Sequence, residues 1–473
     1  MDKQKLHEAI EKNAAIFTGL SDRIWEYAEL SMEEYQSTAD YVQLMKQLGF
    51  QVEENLAGIP TAFSGTFGSG RPVIGILGEF DALSGLSQVA DETQRQWKET
   101  GGCGHGCGHN LLGAAALAAA YAIKEAIENG ELNGTVVFYG CPGEEGCAGK
   151  TFMARDGLFR NLDAAITWHP GSVNEVTVGS NAACLQIEYT FTGLAAHAAG
   201  NPEMGRSALD AAELMHVGVQ FLREHMPKTA SVHYSYLDAG GISPNVVQPT
   251  AKVLYMVRDK NVAEAKKLLA RVNKIAQGAA LMTETEVAWK QIDGTASTLS
   301  NTVLEALIYE NFAATPLPEY TMEEVAYAQA LKDTYSAGPI VESENMEVCR
   351  FAQIHSQGGK LPINNFLVPH YPSAYISPGS TDVGDVSWLT PTAQFSAVTW
   401  PSGAPGHSWQ VVSAGKSSLA HKGLLLAAKV LAGVTADLMT QPKILQDARA
   451  EFEISAADGY DCPIGPEVLI PQA

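Results

Sequence analysis

The chain has 473 residues, 46% of them apolar, and a formal net charge of -22. That length exceeds the size at which a single hydrophobic core keeps growing, so two domains are the expectation. The acidic balance leaves no basic face of the kind that nucleic acid or an anionic membrane surface requires, which excludes both as partners.

The N-terminus opens directly into a helical pattern over residues 1–50, with Leu6, Ile10, Ile16, Leu20 and Ile24 as its apolar positions, rather than into the apolar core of a secretory signal. The longest run nearly free of polar groups, residues 111–123, is too short to span a bilayer. The seven cysteines form an odd set that suits reduced thiols better than a disulfide framework. A cytoplasmic protein is the expectation.

Residues 72–83 form a continuous apolar run that ends in Glu79 and Asp81, as buried parallel strands tend to end in polar groups. After a polar loop comes a glycine-rich stretch with Cys103, His105, Cys107 and His109, then a helix over residues 111–128 for which Asn110 is the candidate N-cap. A second strand over residues 135–142 ends at Glu144 and Glu145. A third, residues 163–168, ends at His169 and Pro170. Strands alternating with helices, each ending in acids or a histidine, predict an open α/β sheet with its site beyond the strand carboxyl ends.

From about Leu185 the texture changes to alternating strands with two amphipathic helices, in the order strand, helix, two strands, helix, strand. That is a ferredoxin-like pattern and predicts an inserted domain. Its second helix puts Leu268, Leu269, Val272, Ile275 and Ala276 on one face. The α/β texture then resumes, with a capping box at Thr321 and Glu324, a last strand over residues 393–400 leading to His407, and a closing helix over residues 417–438. Residues 338–365 and the tail from Asp461 carry no clear pattern.

The polar residues stranded at strand ends are Glu79, Asp81, Cys107, His109, Glu144, Glu145, His169 and His407. Singly, each has an ordinary explanation as a solvated loop acid or a turn histidine; their common position does not. Imidazole, thiolate and carboxylate donors together suit a borderline divalent metal. They outnumber the needs of one tetrahedral ion, which implies two ions sharing a bridging ligand and a bridging water. The local sequence offers two Cys/His pairs and does not choose between Cys103 with His105 and Cys107 with His109.

The motifs Gly78 to Leu83, Gly104 to Asn110, Gly140 to Gly146, Trp168 to Pro170, Gly193 to Ala198, Gly240 to Val247 and Ser380 to Asp385 resemble those of the M20 metallopeptidases and amidohydrolases, in the branch that holds the auxin-conjugate and p-aminobenzoyl-glutamate hydrolases. The resemblance covers nearly the whole chain. It implies an α/β fold, with a metal-dependent exopeptidase-like catalytic domain built on a mixed sheet (residues 1–185 and 298–473) and an inserted ferredoxin-like α+β lid and dimerisation domain (residues 186–297). It implies two divalent ions per chain, Mn²⁺ or Zn²⁺, held by Cys107, His109, Glu145, His169 and His407, with Cys107 as the bridge. Glu144 would be the general base, Asp81 would orient a ligand, and His197 and Asn245 would reach from the lid to hold the oxyanion and the substrate carboxylate, commonly in a partner subunit. Arg258 would either bind a substrate carboxylate or form a plain lid salt bridge. Cys103 and His105 are assigned to structure or pocket, and His233, His370 and His421 to the ordinary surface or core.

The reaction so implied is hydrolysis of the amide bond of an N-acyl or N-aroyl amino acid of the p-aminobenzoyl-glutamate kind. Alternatives are a dipeptidase, an auxin-conjugate hydrolase, or a partner subunit of a heteromeric hydrolase. The assembly implied is a homodimer through the lid or a heterodimer with a related chain. Three positions depart from the branch: Asn110 stands where it has Asp, and Ser84 and Trp409 where it has proline. No ligand is lost by these changes, which bear on the substrate pocket.

Overall fold

The N-terminal helical stretch resolves into three helices, Lys3–Lys12, Ala14–Tyr27 and Tyr35–Gln47, in the computed structural model, which describes residues 2–471. The break at Asn13 shifts the helical phase. Phe17 therefore takes the core position beside Leu20 and Ile24, while Ile16, expected inside, is 39% exposed.

The strands in chain order are β1 Gln51–Glu54, β2 Phe63–Ser69, β3 Val73–Gly78, β4 Gly134–Gly140, β5 Ala164–Gly171, β6 Val173–Val176, β7 Ser180–Asn181, β8 Ala183–Thr192, β9 Ser231–Asp238, β10 Thr250–Asp259, β11 Glu286–Thr295, β12 Asn364–Leu367, β13 Ile376–Ser377 and β14 Thr392–Val398. The main sheet runs β1-β2-β4-β3-β5-β14-β6-β12. Its centre is parallel, with Val73 opposite Thr135, Ile74 opposite Ala164 and Thr392 opposite Ala165. Antiparallel pairs flank it, β1 with β2, β2 with β4, and β6 with β14, so the sheet is mixed. All the parallel strands at its centre point their carboxyl ends the same way, which brings Glu79, the 141–147 loop and His169 to one edge.

Two helices, His109–Glu128 and Ser418–Thr440, are long and apolar enough to cross a membrane by composition alone. Here they pack against each other over the sheet, and their apolar residues lie in the main core with Ile74, Ile76, Phe138 and Ile166. A helix apolar nearly all round is what a position between a sheet and other helices demands. The first of them starts two residues earlier than expected. Gly108 is its N-cap, and Asn110 lies inside the helix, where its side-chain amide donates to Ser21 Oγ and Gly415 O, both at 3.0 Å. Asn110 ties the helix to two neighbouring segments instead of capping it.

The second sheet is wholly antiparallel, in the order β11-β8-β10-β9, with the helices Ala208–Arg223 and Val262–Thr283 packed on it. This is the ferredoxin-like arrangement. Its separate core holds Ile187, Tyr189, Phe191, Val253, Tyr255, Leu268 and Val272. The capping box at Thr321 and Glu324 is present. The stretch without a clear pattern contains a helix, Met346–His355, and the edge strand β12.

Candidate metal centre

The carboxyl ends of the parallel strands and the glycine loop after Gly102 converge on one cluster. In three overlapping sets, Cys107/His109/His169, Cys107/Glu145/His407 and Glu79/His109/Glu144, the ligand atoms lie within 4.8 Å of one another. Cys107 belongs to two of the sets and His109 to two, so the cluster offers more donors than a single tetrahedral ion uses. Cys107 Sγ lies 3.3 Å from His169 Nε2, and His407 Nε2 lies 3.4 Å from Glu145 Oε2.

The loop geometry explains the glycines. Gly108 has φ +77°, and a Cβ there would meet Pro170 Cβ at 2.9 Å, so only glycine lets the loop close on the His169 strand end. His407 itself has φ +54°, and its backbone N–H donates to Gly106 O at 2.9 Å. That bond fastens the distant C-terminal loop to the Cys107 loop.

Asp81 organises the interior. Its Oδ1 lies 2.8 Å from His109 Nδ1, while Oδ2 accepts from Ser31 Oγ at 2.8 Å and from the Glu145 backbone N–H at 2.9 Å. Burial alone would keep this carboxyl protonated, but the His109 contact and the donated bonds hold it down to about 2. The Asp81 contact holds a proton of His109 on Nδ1 and turns Nε2 toward the cluster. His169 is set the same way, because Nδ1 meets Pro170 O at 2.7 Å. Burial and the neighbouring His109 lower its affinity for a second proton to about 4.

His109 Nε2 and Glu145 Oε1 are buried without a hydrogen-bond partner, a costly condition for polar atoms in a protein interior. Burial and the surrounding carboxylates, Glu79 first, raise Glu144 well above the usual carboxylate range, and burial raises Glu145 too. Burial pushes the Cys107 thiol up to about 12. Orphaned donor atoms amid excess negative charge fit divalent cations, whose binding displaces the thiol proton. The soft and hard donors in the set match a borderline ion.

Beside the cluster is a cavity of about 190 Å³, walled by Glu144, Glu145 and His407 on the catalytic side and by Gln186, Arg258 and Asp293 on the second sheet. Arg258 forms no ion pair among the described residues. Its Nη1 donates to Pro378 O at 2.9 Å and its Nε is buried without a partner. Asp259 bonds Thr229 Oγ1 at 2.7 Å instead, so the plain lid salt bridge with Arg258 is not formed. His197 and Asn245 lie together on the lid, where the Asn245 carbonyl accepts from Ala198 N–H at 2.9 Å. Both are exposed and neither lines the cavity.

His105 is buried, with Nε2 3.0 Å from Ile24 O. It stands apart from the cluster, as Cys103 does. His370 pairs with Glu305 and His421 with Asp22. Sequence reasoning missed Lys150, a fully buried lysine between Glu79 and Asp382. Its only signal is a lysine directly after the glycine-rich loop, at the start of an apolar helix.

The sequence pattern of the peptidase family M20/M25/M40 matches residues 76–338. One of the subunits of the p-aminobenzoyl-glutamate hydrolase of Escherichia coli (strain K12) is 42% identical over 468 residues, 97% of this chain and 96% of that protein. The chain belongs to the M20 family. Like its family it is a metal-dependent hydrolase of amide bonds. The Xaa-Arg dipeptidase of Mus musculus is 27% identical over 470 residues, 95% of this chain and 92% of that protein. The fold matches that of the Bacillus subtilis YXEP protein, a dinuclear metal binding peptidase of the M20 family, with TM-score 0.56 at 16% identity over 91% of this chain and 99% of that one.

Proposed function

We propose that this M20 enzyme hydrolyses the amide bond of an N-aroyl or N-acyl amino acid of the p-aminobenzoyl-glutamate type at a two-metal site. The observation that carries the reading is the double cluster, in which Cys107 is common to two ligand sets and His109 Nε2 and Glu145 Oε1 are buried without partners. Cys107, His109, Glu145, His169 and His407 would hold two ions, Zn²⁺ or Mn²⁺. Bound there, the pair would lower the pKa of a water toward neutrality and polarise the scissile carbonyl.

The residues supply the rest. Glu144, whose proton affinity is raised by burial and by Glu79, would, with bound cations restoring its carboxylate, take the proton of the attacking water and hand it to the leaving amine. Asp81 keeps His109 in the tautomer that presents Nε2 to the ion. Arg258, unpaired in the cavity wall, binds a substrate carboxylate. His197 donates to the developing oxyanion and Asn245 holds the substrate. The two would act after lid movement or from a second subunit, since in one chain they sit outside the cavity.

That last feature also supports a second reading of assembly. The chain would work as a dimer through its lid, with itself or with a related chain, in keeping with a relative described as a subunit. A reducing cytoplasmic setting suits the seven free cysteines, because Cys107 must stay reduced to ligate.

Assay of the purified chain with added Zn²⁺ or Mn²⁺ against p-aminobenzoyl-glutamate and other N-acyl and N-aroyl amino acids tests the proposal. Release of the free amino acid by the chain alone is expected. Activity only after addition of a related chain would favour the heteromeric reading, and no metal-dependent hydrolysis in either setting would reject both.

A further inference from the structure

The lid strand β11 does not run evenly along β8. Gln291 stands opposite Ile187, but Asp293 stands opposite the very next residue, Gln186, so Ile292 is the extra residue of a bulge. Bulges redirect the side chains beside them and concentrate near active sites. This one lies where the lid sheet meets the catalytic domain, and Asp293 forms part of the wall of the cavity that Glu144, Glu145 and Arg258 also line.

Asp293 is only 8% exposed. Its Oδ2 accepts a hydrogen bond from Gln186 Nε2 at 3.0 Å. Among the described residues the side chain has no other hydrogen-bond donor and no cation, which leaves Oδ1 without a protein partner. A buried carboxylate with one neutral donor is under-compensated. Burial, with the charge of Asp382, pushes the group up to about 7, as burial does for the fully bonded Asp385, so the unpartnered oxygen and not the titration sets Asp293 apart. Asp385 differs in its partners: it takes bonds from Thr151, Tyr460 and the Ala296 N–H.

We propose that Asp293 is a specificity-determining residue whose free carboxylate oxygen accepts a hydrogen bond from a nitrogen donor of the substrate, an aryl amine or a guanidinium, remote from the scissile amide. The inference rests on the amidohydrolase reading above. The cavity then presents two complementary groups, the unpaired Arg258 for a carboxylate and Asp293 for an N–H donor. p-Aminobenzoyl-glutamate carries both a carboxylate and an aryl amine, and a dipeptide ending in arginine carries both a carboxylate and a guanidinium. The shared chemistry is the donor nitrogen, although it lies on opposite sides of the amide in the two compounds. Gln186 holds the carboxylate in place through its other oxygen and is a positioning residue.

The test uses two matched substrate pairs on the metal-loaded full-length protein: p-aminobenzoyl-glutamate against p-methylbenzoyl-glutamate, and benzoyl-arginine against benzoyl-norleucine. In wild type, kcat/KM for the donor-bearing member of one pair should exceed that of its counterpart without the donor by about 10- to 100-fold, the range for a hydrogen bond to a charged group. The pair that discriminates identifies which donor is read. Asp293→Ala should bring that ratio close to one with metal content unchanged. Asp293→Asn, whose amide oxygen can still accept from Gln186 while its NH2 group faces the cavity, should abolish or reverse the preference.

Equal rates within both pairs in wild type, or a preference that survives both substitutions, overturns the proposal. Equilibrium binding of the same compounds to metal-loaded Glu144→Gln protein reads the preference without turnover. If no compound is hydrolysed, the functional reading fails, and equal affinities within both pairs then sink the Asp293 inference separately.

Discussion

Lys150 Nζ lies 2.6 Å from Glu79 Oε1, and the lysine side chain has no solvent exposure. A second bond, 2.5 Å to Asp382 Oδ1, completes its neutralisation, while Glu79 Oε2 stands 3.3 Å from His109 Nε2. The lysine thus fixes an acid that borders the candidate metal ligands. Removing one partner of such a buried set leaves uncompensated charge. Lys150→Met should cost about 3–5 kcal/mol in stability, measured by denaturant unfolding, and adding Glu79→Gln to it should restore part of the loss. A Lys150→Met protein as stable as wild type would mean that the network contributes nothing.

The parallel strands of the main sheet are legible because strands buried on both faces read as unbroken apolar runs, and their ends expose whatever polar residue comes next. Glu79, Glu144, Glu145 and His169 all stand out that way. The antiparallel additions β1 and β2 do not, because Phe63–Ser69 is rich in Gly and Ser and has no alternation. Asn110 reads as a cap because its sequence position suits one, whereas its actual partners, Ser21 and Gly415, are distant in sequence. Lys150 and Asp293 are invisible for a related reason. Their meaning lies in the company they keep after folding, a two-acid cage for one and a bulge beside the cavity for the other.

Glu175 gives a pH signature away from the site. Burial and the nearby Glu342 raise its carboxyl from 4.5 to about 7. Below pH 4.5 both folded and unfolded chains hold the proton. Between 4.5 and 7 the unfolded chain loses it first, so this group subtracts stability as pH rises through that window. Glu175→Gln should therefore match wild type near pH 4 and exceed it by about 1–2 kcal/mol at pH 8. That is less than the roughly 3 kcal/mol of the full shift, because the side chain is partly exposed. Equal stability of the two proteins at pH 8 would contradict the assignment.

Under the proposed mechanism the adjacent acids Glu144 and Glu145 would have separate tasks. Glu144→Gln keeps the size and hydrogen bonding of the side chain but removes the proton acceptor. Metal content should be unchanged while kcat falls by about 10²- to 10⁴-fold, with a smaller change in KM. Glu145→Gln should lower both metal content and rate. If Glu144→Gln loses an ion and Glu145→Gln keeps both, the roles are reversed.

His197 is exposed on the lid, with its Nδ1 accepting the N–H groups of Ala199 at 3.2 Å and Gly200 at 3.0 Å. Those bonds leave Nε2 protonated and free to donate. If His197 serves the site of a partner subunit, mixing His197→Ala chains with Glu144→Gln chains should restore activity to about a quarter of wild type when subunits exchange randomly, since only mixed dimers regain one complete site. Verified mixed dimers with no recovery would put His197 in the site of its own chain or outside the chemistry.

The central claim is a two-ion centre that Cys107 would help to hold, and it is tested most directly by the metal stoichiometry of dialysed, metal-reconstituted protein. Elemental analysis should find two divalent ions per chain in wild type and in Cys103→Ser, and fewer in Cys107→Ala. One ion or none in saturated wild type, or two ions retained by Cys107→Ala and lost by Cys103→Ser, would contradict the account.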